Sequence, residues 1–182
     1  LPLTRLAASL LATLSPLCGA REERKSRATT AGGKINGEPM PYLTNITTRR
    51  IEWGECDPAG IVFYPRFFAM FDNATTLLFS AALGMTKYEF LAKYDCAGYP
   101  MVDTRARFLV PARFGDDVTI ETSITEIKRS SFQVLHHLKK ADGALGVEGF
   151  ETRVWTGRDP ADPGKIRSQP IPAEVIEKLS RP

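Results

Sequence analysis

One stretch constrains this chain more than any other. Between Pro65 and Leu83, the residues Phe67, Met70, Phe71, Ala74, Leu77, Leu78 and Ala81 recur at i, i+3, i+4 and i+7, the spacing of a single helix face. Pro65 suits the first helical turn, where its missing N–H costs nothing, and Gly84 suits the position just past the end. At 1.5 Å per residue, the spacing predicts a rod of about 28 Å. It has phenylalanines near its start and alanines near its end, so it should lie deep in the protein. Thr86–Tyr94 reads as a second, shorter helix.

Beyond Pro100 the apolar period changes from 3.6 to 2. Ala106, Phe108 and Val110 alternate with Arg105, Arg107 and Leu109, and Val118, Ile120, Thr122 and Ile124 alternate with polar neighbours. Ser131–Lys139 and Gly146–Trp155 continue the pattern less cleanly. Asp142-Gly143 is a hairpin turn signal, and Lys128-Arg129-Ser130 turns the hairpin before it. Thr44–Trp53 reads as a strand and Pro172–Leu179 as a terminal helix. Strands joined by short turns make an antiparallel sheet. One sheet around one long helix is an α+β arrangement. Such a sheet needs cover for an open edge or face, which points to self-association.

Residues 1–39 differ in character from the rest of the chain. Leu6–Leu17 is a short apolar run after Arg5, and Cys18-Gly19-Ala20 matches a signal-peptidase site. The first Met is Met40, where strand-like sequence begins. A secretory signal, a segment foreign to the native protein and a disordered tail are the three readings. All of them leave residues 1–39 outside the fold and 40–182 as one domain. The net charge of +3 also resides there. Residues 1–39 hold six basic and three acidic residues, and residues 40–182 hold 18 of each. A neutral body lacks the footprint of a nucleic-acid binder. No apolar run reaches the ~18 residues of a membrane span.

The chemistry-bearing residues are few. Cys18, Cys56 and Cys96 form no framework, and His136 and His137, adjacent on a strand, point to opposite faces and cannot share a metal. A reduced cytoplasmic protein with no metal is the simplest reading. His136 and His137 read as core-edge or surface residues. The densest candidate is Gly54-Glu55-Cys56-Asp57-Pro58-Ala59-Gly60. Pro58 biases Asp57 toward extended backbone. Asp57 then caps a turn, or presents a carboxylate to an electrophile as nucleophile or as base for water, and the two roles are compatible in space. Cys56 is the rival nucleophile, but nothing near it in sequence lowers its pKa. Asp72 lies on the polar side of the long helix. Lys128-Arg129 is a solvated hairpin tip or a phosphate anchor.

The run Ile51-Glu-Trp-Gly-Glu-Cys-Asp-Pro-Ala-Gly-Ile-Val-Phe-Tyr-Pro65, with Asp72 on the helix that it leads into, resembles the 4-hydroxybenzoyl-CoA thioesterase family of the hotdog fold. The similarity runs roughly from residue 46 to residue 180 and includes Gly98-Tyr-Pro-Met-Val102, Gly115-Asp-Asp-Val-Thr-Ile-Glu121 and Lys128-Arg-Ser-Ser-Phe132. The resemblance implies a hotdog fold, an antiparallel sheet wrapped around one long central helix. It implies an acyl-CoA thioesterase acting on an aromatic or related acyl group. Coenzyme A is part of the substrate, and no cofactor is needed. It implies that Asp57 is the catalytic carboxylate and that the Tyr64 N–H polarises the thioester carbonyl. Asp72 lies near the acyl group, and Lys128 and Arg129 hold the nucleotide phosphates. Tyr99 stands where the aromatic-CoA enzyme has a small hydroxyl residue, and Ser130 stands where the family has a third basic one. Sites in this family lie between subunits, which implies a homodimer or homotetramer. Two rival readings are a short-chain acyl-CoA or acyl-carrier-protein thioesterase like those associated with the Tol-Pal system, and a non-catalytic acyl-CoA-binding hotdog protein. Relatives of the Tol-Pal type tend to show His where Pro65-Arg66 comes after Tyr64, so Pro65 favours the benzoyl-type branch.

Overall fold

The computed structural model describes residues 42–162 and 164–181. The expectations for residues 1–39 lie outside these. The central helix α1 runs Pro65–Leu83, the bounds that its apolar spacing predicts, and Gly84 ends it in the left-handed conformation (φ 67°). Its buried face is Phe67, Met70, Phe71, Ala74, Thr75, Leu78, Phe79 and Leu83. Leu77 and Ala81, expected inside, face outward, with Leu77 40% exposed. The stripe drifts toward Thr75 and Phe79 because 3.6 residues make a turn, so i+4 and i+8 stay on the buried side.

Strand β1 is Thr44–Arg50. It stops short of the expected Trp53 because Trp53–Glu55 coils into one 3₁₀ turn, with the Glu55 carboxylate accepting the Glu52 N–H at 2.8 Å. Helix α2, Lys87–Lys93, is capped by a reciprocal box between Thr86 and Glu89. Then come β2 (Met101–Phe108), β3 (Asp117–Ile127), β4 (Ser131–Lys140) and β5 (Leu145–Val154). Next is a short β6–β7 pair, Thr156–Arg158 with Ile166–Ser168. At three residues each, these strands are too short to carry a readable period. Helix α3 spans Ala173–Leu179.

The main sheet is antiparallel in the order β1-β3-β4-β5-β2. Alternate residues of β3, β4 and β5 turn inward onto α1. The first half of α1 packs with Ile51, Val62, Val118, Ile120, Leu138 and Val147. Its second half packs with Phe90, Tyr99, Phe132, Trp155, Val175 and Leu179. Gly149 lets helix and sheet approach, since a Cβ there would lie 2.5 Å from the Phe71 ring. Strands β1 and β2 are the sheet edges, and β2 exposes Val102 and Phe108. Among the described residues, no single helix is long and apolar enough to cross a membrane.

Candidate active site

The segment between the 3₁₀ turn and α1 folds back on itself as a tight loop. The Asp57 N–H donates to the Ile61 carbonyl (2.9 Å), the Gly60 N–H donates to the Asp57 carbonyl (2.9 Å), and Cys56 bridges Val62. Gly60 closes the turn at φ 74°, a conformation that favours glycine. The loop is pinned by the Val62 N–H donating to Ala112 and the Phe63 N–H donating to Glu55 (both 2.9 Å). Glu55 is in turn paired with Arg49.

Asp57 is half-buried. Its Oδ1 accepts the Ala59 N–H at 2.8 Å, so it does cap the turn after Pro58. Its Oδ2 accepts no hydrogen bond, and no cation pairs with it among the described residues. The capping bond fixes the side chain, and the second oxygen stays available. Asp57 lines an open cleft of about 350 Å³ with Trp53, Gly54, Cys56, Pro58 and Gly60. Cys56 is also half-buried; its Sγ sits 3.9 Å from the Glu52 carbonyl, and no basic group contacts it among the described residues.

Tyr64 is the residue before Pro65 at the start of α1. The Arg66 N–H donates to Phe63, and the Phe67 N–H donates to Tyr64. The Tyr64 N–H itself donates to nothing among the described residues. It is a free donor at the positive end of a 19-residue helix. Tyr64 also borders an apolar cleft of about 190 Å³ lined by Ile61, Phe67, Phe108, Val110 and Val147 among others. A carboxylate oxygen and a backbone donor thus stand on one loop, Asp57 on the open cleft and Tyr64 on the apolar one. That arrangement suits attack on an activated carbonyl whose oxygen needs a partner.

Asp72 lies about 12 Å along the helix axis from Tyr64 at 1.5 Å per residue. Its Oδ1 accepts from Arg153 Nη1 at 2.8 Å. Arg153 is buried, and its Nε donates to Glu151 Oε2 at 2.8 Å. Glu151 Oε2 also meets His136 Nε2 at 3.3 Å and the Thr75 hydroxyl at 3.3 Å, while His136 Nδ1 meets Thr122 at 2.9 Å. The Phe71 ring stacks on His136 at 4.6 Å. Burial works to raise the Glu151 pKa, but hydrogen bonds and charge from His136 and Arg153 together outweigh it and hold the carboxyl below its ordinary value. Burial likewise opposes the Arg153 charge, and Glu151 and Asp72 together overcome it, raising the guanidinium pKa. His136 is fully buried rather than at the core edge, held by this polar chain, while His137 turns to the opposite, half-exposed side.

Tyr99 is buried, stacked on Phe79 at 5.0 Å, with its hydroxyl 3.2 Å from Thr76 Oγ1. Burial pushes its pKa up to about 12, so it stays a neutral phenol. Arg153 lies 5.7 Å above its ring, which places Tyr99 with Asp72 rather than with Asp57. Lys128 and Arg129 form the exposed β3–β4 turn, with Lys128 Nζ 3.2 Å from Glu126. They sit at the far end of β3. The near end of β3 holds the Asp57 loop, through the Ile51 N–H on Asp116 and the Ile61–Arg113 bridge. Eleven residues of strand at about 3.3 Å each separate the two, roughly 35 Å.

The residues named from sequence therefore fall in three places within one chain. Asp57 joins Tyr64, Asp72 joins Tyr99, and Lys128 joins Arg129. Sequence reasoning missed Glu151 and Arg153. The signal was present in β5, where Val147, Gly149, Glu151 and Arg153 share the inward face, and charges in inward slots require partners.

The fold and the relatives that share it define a thioester hydrolase of the hotdog type. A family model described as the thioesterase superfamily matches residues 59–147. The chain is 33% identical over 137 residues to 4-hydroxybenzoyl-CoA thioesterase of Pseudomonas sp. (strain CBS-3), covering 72% of this chain and 94% of that protein. A crystal structure of a 4-hydroxybenzoyl CoA thioesterase mutant, complexed with 4-hydroxybenzoyl CoA, superposes with a TM-score of 0.68 at 31% identity, covering 75% of this chain and 98% of that one. The structure of a gentisyl-coenzyme A thioesterase superposes with a TM-score of 0.62 at 36% identity, covering 72% and 99%. The chain belongs to the 4-hydroxybenzoyl-CoA thioesterase family of hotdog acyl-CoA thioesterases.

Proposed function

We propose that this thioesterase hydrolyses an aromatic, 4-hydroxybenzoyl-type acyl-CoA to the free acid and coenzyme A, with Asp57 as its working carboxylate. The observation that carries this reading is the state of Asp57: one oxygen is tied to Ala59 and the other is unbonded, in a loop whose exit offers the unused Tyr64 N–H. A thioester carbonyl is electrophilic, and its thiolate leaves readily. Asp57 Oδ2 either attacks the carbonyl carbon, releasing the CoA thiolate and leaving an acyl anhydride for water to open, or takes a proton from an attacking water. In both routes the carbonyl oxygen gains charge and the Tyr64 N–H stabilises it. Such a donor is worth ~2.7–4 kcal/mol. The acyl part of the reading rests on the 4-hydroxybenzoyl-CoA and gentisyl-coenzyme A thioesterases to which the chain is similar.

Geometry supports a site shared between subunits. The Tyr64 amide and Asp72 are farther apart along one helix than an aromatic acyl group is long. Asp57 and Lys128-Arg129 lie too far apart for one CoA molecule to touch both on one chain. An aryl-CoA contacting all of them draws on more than one protomer, in a homodimer or homotetramer. The unpaired edge of β2, with Val102 and Phe108 exposed, is a surface that a second copy can cover. Because the substrates are CoA esters, we place the protein in the cytoplasm.

The experiment is thiol release from 4-hydroxybenzoyl-, benzoyl- and straight-chain acyl-CoAs. The aryl thioesters are expected to show the highest kcat/KM. A clear preference for straight-chain esters, or binding of aryl-CoA without turnover, would overturn the reading. Ala variants of Lys128 and Arg129 are expected to raise KM about tenfold each while kcat changes little, because phosphate contacts act equally in ground and transition states. The KM effect should shrink as salt is added.

A further inference from the structure

Arg66, the second residue of α1, has a side chain that none of the groups above uses. Its backbone is fixed by the N–H that donates to the Phe63 carbonyl at 2.8 Å. Its guanidinium is exposed and, among the described residues, makes no ion pair and no hydrogen bond. The arginines at the end of β1 differ in this, since Arg49 pairs with Glu55 and Arg50 with Asp117. Arg66 borders a second open cleft of about 300 Å³, which it lines together with Asp57, Pro58 and Phe63 among others. Asp57 thus borders two clefts, one walled by Trp53 and one by Phe63 and Arg66. Among the described residues that line the second cleft, Arg66 is the one cation and Asp57 the one anion. The two do not pair with each other, so a ligand group can enter between them.

Hydrolysis changes the charge at the reacting carbon. On the proposed mechanism the thioester carbon stands at Asp57 Oδ2, and it is neutral there. Water then supplies the new C–O bond, the C–S bond breaks, and the thiolate leaves as coenzyme A. The acid that remains gives up its proton at neutral pH. A carboxylate is therefore formed beside the Asp57 carboxylate, and like charges so close repel. The Tyr64 N–H carries no net charge to offset this. Arg66 does, and its planar fork takes a carboxylate through two hydrogen bonds and stays charged at every working pH. The CoA phosphates are a second source of negative charge, but the length of the pantetheine arm separates them from the thioester, whereas the new carboxylate forms at Asp57 itself.

We infer that Arg66 is a product-binding residue, which takes the carboxylate of the released acid and makes that acid a competitive inhibitor of the enzyme. This rests on the proposed aryl-CoA activity with Asp57 at its centre. The test measures inhibition of 4-hydroxybenzoyl-CoA hydrolysis by 4-hydroxybenzoate, by the neutral 4-hydroxybenzamide and by coenzyme A, in wild type, Arg66→Gln and Arg66→Lys. Wild type is expected to bind the acid more tightly than the amide, with the difference shrinking as salt is added. Arg66→Gln is expected to raise the Ki of the acid about fivefold, the upper end of what an exposed ion pair supplies. That rise should exceed its effect on the amide Ki and on KM, because neither the amide nor the thioester carries the charge. Arg66→Lys should retain part of the preference for the acid. A purely structural role would move both inhibitors alike, and thermal melting checks that each variant is folded. An acid Ki unchanged in folded Arg66→Gln, an acid and amide that inhibit wild type equally, or a rise in the coenzyme A Ki in place of the acid Ki overturns this inference alone. A wild type that does not hydrolyse aryl-CoA removes the parent reading and this one with it.

Discussion

Asp57→Asn is expected to lower kcat about 10³-fold while leaving KM within a fewfold of wild type, since positioned acid–base catalysis contributes 10²–10⁴-fold. The amide matches the carboxylate in shape, and its Oδ1 still accepts the Ala59 N–H, so the turn and the cleft survive. What disappears is the one atom free to act, because an amide is neither a useful nucleophile nor a base at neutral pH. Steady-state kinetics on 4-hydroxybenzoyl-CoA, with melting of both proteins, measures this directly. Turnover by Asp57→Asn equal to wild type would remove the mechanism. A single turnover in ¹⁸O water then tests for the anhydride route. Label found in the Asp57 carboxyl requires an anhydride opened at that residue.

How much of the fold and site is legible in the sequence depends on the range of each signal. The bounds of α1 are readable because Pro65 and Gly84 act locally and the apolar period persists for 19 residues. The β3–β4 and β4–β5 turns are readable for the same reason, and Gly143 takes the positive φ that its Asp-Gly pair suggests. The Asp57 loop stands out because Pro58 and Gly60 punctuate it. Its two readings prove compatible, since the cap uses one oxygen and leaves the other. The exposure of Leu77 is not legible, because which side of a broad stripe meets the sheet depends on partners distant in sequence. Nor is the chain from Asp72 through Arg153 and Glu151 to His136 legible as a network. Glu151 and Arg153 lie 15 and 17 residues from His136 and 79 and 81 from Asp72, and it takes the pairing of β4 with β5 and the contact of Arg153 with α1 to bring them together.

That buried chain carries the largest expected effect on stability. Arg153→Met is expected to cost about 3–5 kcal/mol at pH 7, the usual penalty for leaving one partner of a buried ion pair uncompensated. Methionine fills most of the volume, so the loss is electrostatic: Glu151 keeps His136 and Thr75 but loses the donor at 2.8 Å. The pH dependence gives the signature. In wild type the Glu151 pKa is held below its ordinary value, so its contribution is present above that value and is lost as pH falls through the folded pKa. Without Arg153, burial dominates and the folded pKa rises above the ordinary value. The variant's Glu151 then favours the fold only when protonated, and that help is lost as pH rises. The gap between the two proteins should therefore be widest near pH 7 and narrow as pH falls through about 4, the ordinary carboxylate range. Urea denaturation across that range measures it. Adding Glu151→Gln to Arg153→Met removes the stranded charge and should recover part of the loss. A single Arg153→Met variant as stable as wild type at pH 7 would show that Arg153 adds nothing net to stability through Glu151 and Asp72, and would overturn this account.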